Sequence, residues 1–169
     1  MDFIIREAKV KDASGIANVH VESWVETYTG IVPEEYLSSL SKAKRQEMWE
    51  SFISSNKEKQ YTFVAEVNGS IVGFVNGGEA REKEHGYDGE LCAIYLLKEF
   101  QGKKIGKNMF NKLCEFLKKD SMKNMYLWVL RDNATIDFYE GMGGKKGAEK
   151  EDEIAGKKLM EDLYFWESL

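Results

Sequence analysis

A short basic segment, residues 101–107, has the composition of an anion-binding loop. Its sequence is Gln-Gly-Lys-Lys-Ile-Gly-Lys, and it joins an apolar run, 91–97, to a stretch from Ile105 whose apolar residues recur at helical spacing. The first N–H groups of a helix have no intrahelical acceptors, and the helix dipole adds partial positive charge there. Gly102 and Gly106 let a ligand approach the backbone, and three lysines add cations. The segment therefore predicts an anion site, most simply for a phosphate.

The glycine spacing argues against two common phosphate-binding motifs. A P-loop has four residues between its glycines, followed by Lys and a hydroxyl residue. Here three residues separate Gly102 from Gly106, and Asn108 follows Lys107. A dinucleotide fingerprint needs three glycines early in a βαβ unit, and only two are present. A nucleotide phosphate binder of either type is therefore disfavoured.

Composition restricts the class of protein. A chain of 169 residues with 43% hydrophobic and 31% charged residues suits one globular domain, 1–169. The net charge of −5 argues against general nucleic-acid binding, and no apolar run or leader points to a membrane or to secretion. Cys92 and Cys114 lie in apolar surroundings and are expected to be reduced core residues of a cytoplasmic protein. Neither they nor the two histidines show the spacing of metal ligands.

The remaining pattern predicts the elements that hold the basic loop. Asp12 and Ser41 suit helix N-caps, Pro33 suits the first turn of a helix, and Asn68-Gly69 is a strong hairpin signal. The predicted elements are a strand at 3–8, helices at 13–28, 33–40 and from 41 (inner face Met48, Trp49, Phe52 and Ile53), strands at 62–67, 71–75 and 91–97, a helix from 105, a strand at 125–130, a helix at 133–140 and a strand at 159–166. Glycines and charges fill 143–153, so the chain is expected to end in one or two strands. This order predicts a mixed α/β fold.

The basic loop resembles the acetyl-CoA loop of the GNAT superfamily of N-acetyltransferases. That loop is Gln/Arg-x-x-Gly-x-Gly/Ala, after a strand that ends in an apolar-Tyr-apolar triplet. Gln101, Gly106 and the triplet 94–96 match the pattern, and the element order matches the family over nearly the whole chain. Lys104 departs from it, because the family usually has glycine there.

Two further segments carry the resemblance. The segment His20-x-x-Ser23-Trp24-x-x-x-Tyr28, followed by Gly-Ile-Val-Pro at 30–33, looks like many bacterial members. The late signature Asn-x-x-Ala-x-x-Phe-Tyr-x-x-x-Gly is matched in part. The positions that match are Phe138, Tyr139 and Gly143. The positions that depart from the signature are Asn133 (one residue closer to Phe138 than usual), Thr135 (usually alanine) and Gly144 (usually aromatic).

The resemblance implies a central mixed β-sheet flanked by helices and the transfer of acetyl from acetyl-CoA to a primary amine of a small molecule or peptide, without a metal. The backbone of 94–96 is expected to pair with the pantetheine amides at a splayed strand edge. The residues that it places at the coenzyme are Ile94, Tyr95, Leu96, Gln101, Gly102, Lys103, Lys104, Ile105, Gly106, Lys107 and Asn133. The alternative for Asn133 is a simple helix N-cap.

Two residues are candidates for proton transfer. Tyr139 matches the family tyrosine near the coenzyme sulfur, which implies that it protonates the leaving thiolate; the alternative is a buried packing role. An alkyl ammonium with a pKa of ~10.4 must lose a proton before it attacks, and Glu90 is a candidate base, directly or through water. The alternative for Glu90 is a solvated strand end. Cys92 and Cys114 are disfavoured as acyl carriers, because no histidine is close in sequence.

The acceptor side and the departing lysine leave alternatives open. Trp24 and Tyr28 are expected to line the acceptor pocket, although their helical spacing also suits core residues. Because lysine resists positive φ, Lys104 is expected in an ordinary αR backbone. We expect Lys104, with Lys103 or Lys107, to meet the ribose phosphate of the coenzyme, or else to be simply solvated. The alternative function is a non-catalytic acyl-CoA-binding module, and a homodimer through the last strand is possible.

Overall fold

The computed structural model describes residues 1–169 and contains one seven-stranded sheet. Its strands are β1 (Ile4–Glu7), β2 (Gln60–Val67), β3 (Ser70–Glu79), β4 (Gly89–Leu96), β5 (Met125–Leu130), β6 (Lys145–Ile154) and β7 (Lys157–Trp166). Their order across the sheet is β1-β2-β3-β4-β5-β7-β6, and every neighbouring pair is antiparallel except β4 with β5. The predicted mixed sheet is confirmed.

Five helices cover the two faces of the sheet. They are α1 (Ala13–Tyr28), α2 (Glu34–Ser39), α3 (Lys42–Ser54), α4 (Ile105–Lys119) and α5 (Ile136–Gly141). Alternate strand residues serve opposite faces: Phe63 packs in the cluster that contains α4, whereas Val64 packs in the cluster of α1 and α3. No helix is both long enough and apolar enough to cross a bilayer.

The helix starts confirm one capping prediction and correct another. The Ser41 hydroxyl accepts from the Lys44 N–H at 3.2 Å, as an N-cap does. Asp12 precedes α1 as predicted, but its carboxylate does not cap the helix. It accepts instead from both terminal nitrogens of the Arg6 guanidinium, each at 2.8 Å, so an ion pair takes the place of the expected cap.

The inner face of α3 differs from its prediction at one position. Trp49 is buried, and Phe52 and Ile53 pack against the same cluster, as the spacing predicts. Met48 is 42% exposed, so its assignment to this face is wrong. The buried stripe of α3 is therefore narrower than the apolar residues alone indicate.

The sequence indicates only half of the last hairpin. The segment 145–154 forms β6, whose residues are nearly all exposed and mostly charged. It lies at the sheet edge, where charged side chains discourage pairing with another chain. Ala155 and Gly156, both at positive φ, make the turn into β7. The last strand, β7, is paired on both sides, with β5 and with β6, so the expected route to a homodimer by pairing through that strand is wrong; a homodimer by another route stays a prediction.

The sheet splits between its two parallel strands. β4 and β5 pair only at Gly89 with Met125 and at Glu90 with Tyr126. Beyond that point β4 stays paired with β3 as far as Leu96, whereas β5 follows β7. The facing edge of β4 is therefore left without a partner strand, and a cavity opens beside it.

Candidate active site

A cavity of about 700 Å³ lies at the divergence of β4 and β5. Five parts of the chain line it: α1, the end of β4, the loop 98–104, the start of α4 and the segment 133–138 after β5. Every residue that the resemblance placed at the coenzyme lines this cavity except Lys103 and Ile105. The Lys103 ammonium instead donates to the Glu99 carbonyl at 2.7 Å, and Ile105 is fully buried in the core, so neither side chain faces the cavity, and a contact of these two residues with the coenzyme stays a prediction.

The loop before α4 has the backbone geometry of an anion site. Gly102 and Lys104 both have left-handed backbones, with φ of 73° and 67°. The N–H groups of residues 104–107 donate to no backbone acceptor in the chain. Free N–H groups that follow left-handed residues form a concave site for an anion. Lys98, Lys104 and Lys107 add cations at the cavity wall.

The expected αR backbone of Lys104 is wrong. The turn needs a left-handed residue at this position, so the family glycine answers a dihedral requirement. The Lys104 carbonyl accepts from the backbone N–H of Asn108 at 3.0 Å and from its side-chain amide at 2.8 Å. The Gln101 amide ties the loop to the strand by donating to the Leu96 carbonyl at 3.1 Å. These bonds hold a conformation that lysine alone disfavours.

The free edge of β4 presents backbone groups to the cavity. The Leu97 N–H donates to the Val72 carbonyl of β3 at 2.9 Å, and the antiparallel register alternates from there. Ile94 and Leu96 therefore turn their N–H and C=O groups away from β3 and toward the gap. A register shift in the pairing of β3 with β4 leaves Cys92 as an extra residue and bends the strand here.

Tyr139 lies directly behind the cavity wall. It follows Phe138, which lines the cavity, but does not itself line it. The side chain is buried, and burial raises the pKa of its phenol well above the usual value, with a smaller contribution from the nearby Tyr28. The phenol therefore keeps its proton at neutral pH. Its hydroxyl makes no hydrogen bond with another side chain.

Asn133 joins the segment after β5 to α1. It is buried and lines the cavity, and its amide donates to the Tyr28 hydroxyl at 3.2 Å. Its side-chain oxygen accepts from the Thr135 N–H at 2.8 Å, just before α5 begins at Ile136. The capping alternative is thus met in part, and the same side chain also faces the cavity.

Glu90 is held by hydrogen bonds on several sides. It is 2% exposed, so the prediction of a solvated strand end is wrong. Its carboxylate accepts from the Arg81 guanidinium at 3.0 and 2.6 Å, from the Arg81 N–H at 3.1 Å and from the Tyr126 hydroxyl at 3.0 Å. It does not line the cavity. The geometry therefore gives the base hypothesis no support.

The acceptor-side aromatics pack mainly with one another. The rings of Trp24 and Tyr28 are 4.4 Å apart and belong to a cluster with α2 and β7. The α1 residues that line the cavity are instead Ser23, Glu26 and Thr27. Ser23 belongs to the 20–28 segment that carries the resemblance, whereas Glu26 and Thr27 belong to no motif, and sequence reasoning gave none of the three a role. The only signal common to them was their i, i+3, i+4 spacing on one helix face.

Nucleophilic cysteine chemistry has no support in the structure. Burial raises the pKa of both Cys92 and Cys114 to about 11, so both are thiols at neutral pH. A grouping of side chains at metal-ligand distance occurs at Glu82, Glu84 and His85, on a surface turn outside the cavity.

A sheet split at β4, with an anion loop at the end of the gap, defines an acyl-coenzyme A transferase architecture. The GNAT acetyltransferase family model matches residues 21–143, and the chain belongs to this family of N-acetyltransferases. It is 40% identical over 166 residues to the uncharacterized N-acetyltransferase YuaI of Bacillus subtilis, covering 98% of this chain and 93% of that one.

Two relatives from Thermoplasma acidophilum extend the comparison. The chain is 29% identical over 168 residues to a spermidine N(1)-acetyltransferase, covering 97% of this chain and 99% of that one. The crystal structure of the PaiA N-acetyltransferase in complex with coenzyme A superposes with a TM-score of 0.73 at 26% identity, covering 96% of this chain and 98% of that one. An N-acetyltransferase from Staphylococcus aureus shares the fold, with a TM-score of 0.78 at 21% identity over 99% of both chains.

Proposed function

We propose that the protein transfers an acetyl group from acetyl-CoA to a primary amine by direct attack of the amine on the thioester. The observation that carries this proposal is one cavity that joins an anion loop to an unpaired strand edge. Acetyl-CoA has matching parts: a diphosphate, and a pantetheine arm that leads from it through two amides to the thioester.

The residues present suit that ligand. The free N–H groups of 104–107 donate to the diphosphate, and the left-handed turn aims them. The edge of β4 at Ile94 and Leu96 pairs with the arm as an added strand would. Gly106 lines the cavity, and the protein itself leaves room for a Cβ there, at ordinary contact distance (3.5 Å) from the Phe138 ring, so the absence of a side chain serves the close approach of the ligand to the backbone.

The chemistry follows from the groups at the end of the arm. The amine nitrogen forms a bond to the acetyl carbon and gives up one proton to water, the carbon–sulfur bond breaks, and the thiolate takes a proton, so the products are the amide and the free thiol. The donor that we propose is Tyr139, whose protonated hydroxyl is not bonded to another side chain and which lies directly behind the cavity wall, next to Phe138. The amine arrives neutral or loses its proton to water, since Glu90 is held by Arg81 and Tyr126.

The acceptor class that we propose is a small cationic amine. A relative aligned over nearly the whole chain is a spermidine N(1)-acetyltransferase, so polyamines are the acceptors that we propose to test first. The chain is acidic overall, which tolerates a cationic acceptor.

The experiment measures free-thiol release from acetyl-CoA with spermidine, spermine, putrescine and a lysine peptide, and identifies products by mass spectrometry. Amine-dependent release with a product heavier by one acetyl group supports the proposal. Tight coenzyme binding without release for any amine favours a non-catalytic acyl-CoA-binding module. Absence of coenzyme binding contradicts both.

A further inference from the structure

One face of α1 forms a wall of the cavity, and sequence reasoning gave the residues of this wall no role at the ligand. Ser23, Glu26 and Thr27 recur at i, i+3 and i+4, and all three line the cavity. One turn earlier, the ring of His20 stacks on the ring of Tyr95 in β4, with centroids 5.6 Å apart and planes 20° apart. This helix face therefore lies beside the part of the cavity that β4 forms.

Ser23 is the unusual member of this wall. It is 3% exposed, and its hydroxyl has no hydrogen-bond partner. Helical serines commonly donate to the carbonyl one turn earlier, and a buried hydroxyl without a partner destabilises a fold. The other buried side-chain nitrogen or oxygen atoms without a hydrogen-bond partner are the indole nitrogens of Trp24 and Trp128. Neither residue lines the cavity. Ser23 thus combines an unmet hydrogen bond with a place at the ligand site.

The ligand chemistry that satisfies Ser23 is an amide. A serine hydroxyl both donates and accepts, so it pairs with either end of an amide group. The backbone of Ile94 and the N–H of Leu96, which no strand pairs, serve one side of the pantetheine arm, and Ser23 belongs to a different wall of the same cavity. We propose that the Ser23 hydroxyl hydrogen-bonds an amide of the pantetheine arm, on the side that β4 does not reach. This inference rests on the proposed binding of acetyl-CoA.

The test compares two ligands in Ser23→Ala. Coenzyme A contains the arm, whereas adenosine 3′,5′-bisphosphate contains the nucleotide end without it. We expect the dissociation constant for coenzyme A to rise about three- to tenfold, as for the loss of one hydrogen bond. The constant for the bisphosphate, measured by displacement of coenzyme A, stays at the wild-type value. The melting temperature of the ligand-free variant equals or exceeds that of wild type, because the substitution removes an unpartnered buried hydroxyl.

Ser14→Ala is the matched control, since Ser14 is exposed on the same helix. It reports how far a serine-to-alanine change at an exposed position of α1 alters the melting temperature. It should leave the affinities for coenzyme A and for the bisphosphate unchanged. Unchanged affinity of Ser23→Ala for coenzyme A overturns the inference, and so does an equal loss for both ligands. If wild type binds coenzyme A and only the Ser23 result fails, the proposed function stands. If wild type binds no coenzyme A, the proposed function falls and takes the inference with it.

Discussion

Lys104 combines a left-handed backbone with a cation at the cavity. Its φ of 67° costs roughly 1 kcal/mol for a residue other than glycine. A cation in the first turn of α4 also opposes the helix dipole by ~0.3–1 kcal/mol. An anionic group of the ligand would offset both costs. The backbone N–H groups are assigned to the diphosphate of the coenzyme, so the ribose phosphate is the anion that remains for Lys104.

The Lys104 prediction therefore uses an αL-compatible substitution. Lys104→Asn removes the charge while asparagine tolerates the left-handed backbone. We expect the preference for coenzyme A over dephospho-coenzyme A to fall about three- to tenfold by calorimetry, and to fall with salt in wild type. Lys103→Gln is the control, because the Lys103 ammonium is bound to the Glu99 carbonyl. Equal weakening of both ligands in Lys104→Asn would contradict the assignment.

Tyr139 is predicted to act in the chemical step. Its hydroxyl makes no bond with another side chain, so Tyr139→Phe should leave the melting temperature within about 2 °C of wild type. Loss of the proton donor should lower kcat at least tenfold, about 1.4 kcal/mol, with little change in KM for acetyl-CoA. Steady-state kinetics measure both constants. Wild-type turnover would leave the ring with a packing role alone.

At the scale of elements, the start of α4 is tuned for a ligand rather than for stability. A Cβ at Gly106 would meet only the Phe138 ring, at ordinary contact distances of 3.5 and 3.6 Å. Gly106→Ala should therefore raise the free energy of unfolding by up to ~1 kcal/mol through helix propensity. It should also weaken coenzyme A binding at least tenfold, and Gly106→Glu should abolish it. Urea unfolding and calorimetry give the two readouts, and unchanged affinity in Gly106→Glu would remove the loop from the site.

The segment between β3 and β4 is anchored through Glu90. Glu90→Gln leaves the Arg81 guanidinium and the Tyr126 hydroxyl with a poorer acceptor, so we expect a loss of roughly 1–3 kcal/mol in urea unfolding. Arg81 is largely exposed, which keeps the loss below that of a fully buried pair. The pH profile of kcat/KM should keep its rising limb. A flattened limb with unchanged stability would restore Glu90 as the base.

The sequence revealed features made by local interactions. The limits of α1 and β5, the Asn68-Gly69 hairpin and the loop at 101–107 all depend on local periodicity or turn chemistry. β6 escaped prediction because an edge strand buries almost no side chain, so its residues carry no apolar alternation.

Features made by contacts between elements were harder to predict. The partners of Glu90 escaped because Tyr126 meets it only when β4 pairs with β5. The left-handed backbone of Lys104 was not predicted because lysine disfavours positive φ. The hydrogen bonds from Asn108 to its carbonyl stabilise this conformation despite that preference. The cavity wall on α1 escaped because only the packed helix shows which of its polar residues face the gap.

At the scale of the whole molecule, His20 lies where α1, α3 and the sheet meet. The Trp49 indole of α3 donates to its Nδ1 at 3.2 Å, and the rings of Phe74 and Tyr95 pack on it from the sheet. Burial lowers the pKa of His20 to about 4, and the positive charge of Arg45 contributes in the same direction. The neutral imidazole is therefore part of the packed structure.

This burial predicts a loss of stability in mild acid. An unfolded histidine has a pKa of ~6.5. Between pH 6.5 and about pH 4, His20 is therefore protonated in the unfolded chain but remains neutral in the folded protein. The free energy of unfolding should fall by roughly 2 kcal/mol as the pH drops through this window. Glu161 acts in the opposite sense, because burial raises its pKa and it binds a proton first in the folded state. Hydrogen bonds from arginines lower the pKa values of Asp12 and Asp162, whose contributions are lost only below about pH 4.

His20→Gln isolates the histidine contribution. Glutamine can still accept from the Trp49 indole, but it does not titrate. Urea unfolding at pH 7.5, 6 and 5 should show a smaller fall in the variant than in wild type, and the difference between the two slopes belongs to His20. The variant is expected to start from a lower value at pH 7.5, because the ring contacts with Phe74 and Tyr95 are lost. If the unfolding free energies of wild type and variant fall in parallel with pH, His20 takes up its proton in the folded protein as readily as in the unfolded chain. Water would then reach the imidazole between α1 and α3, and the prediction would be wrong.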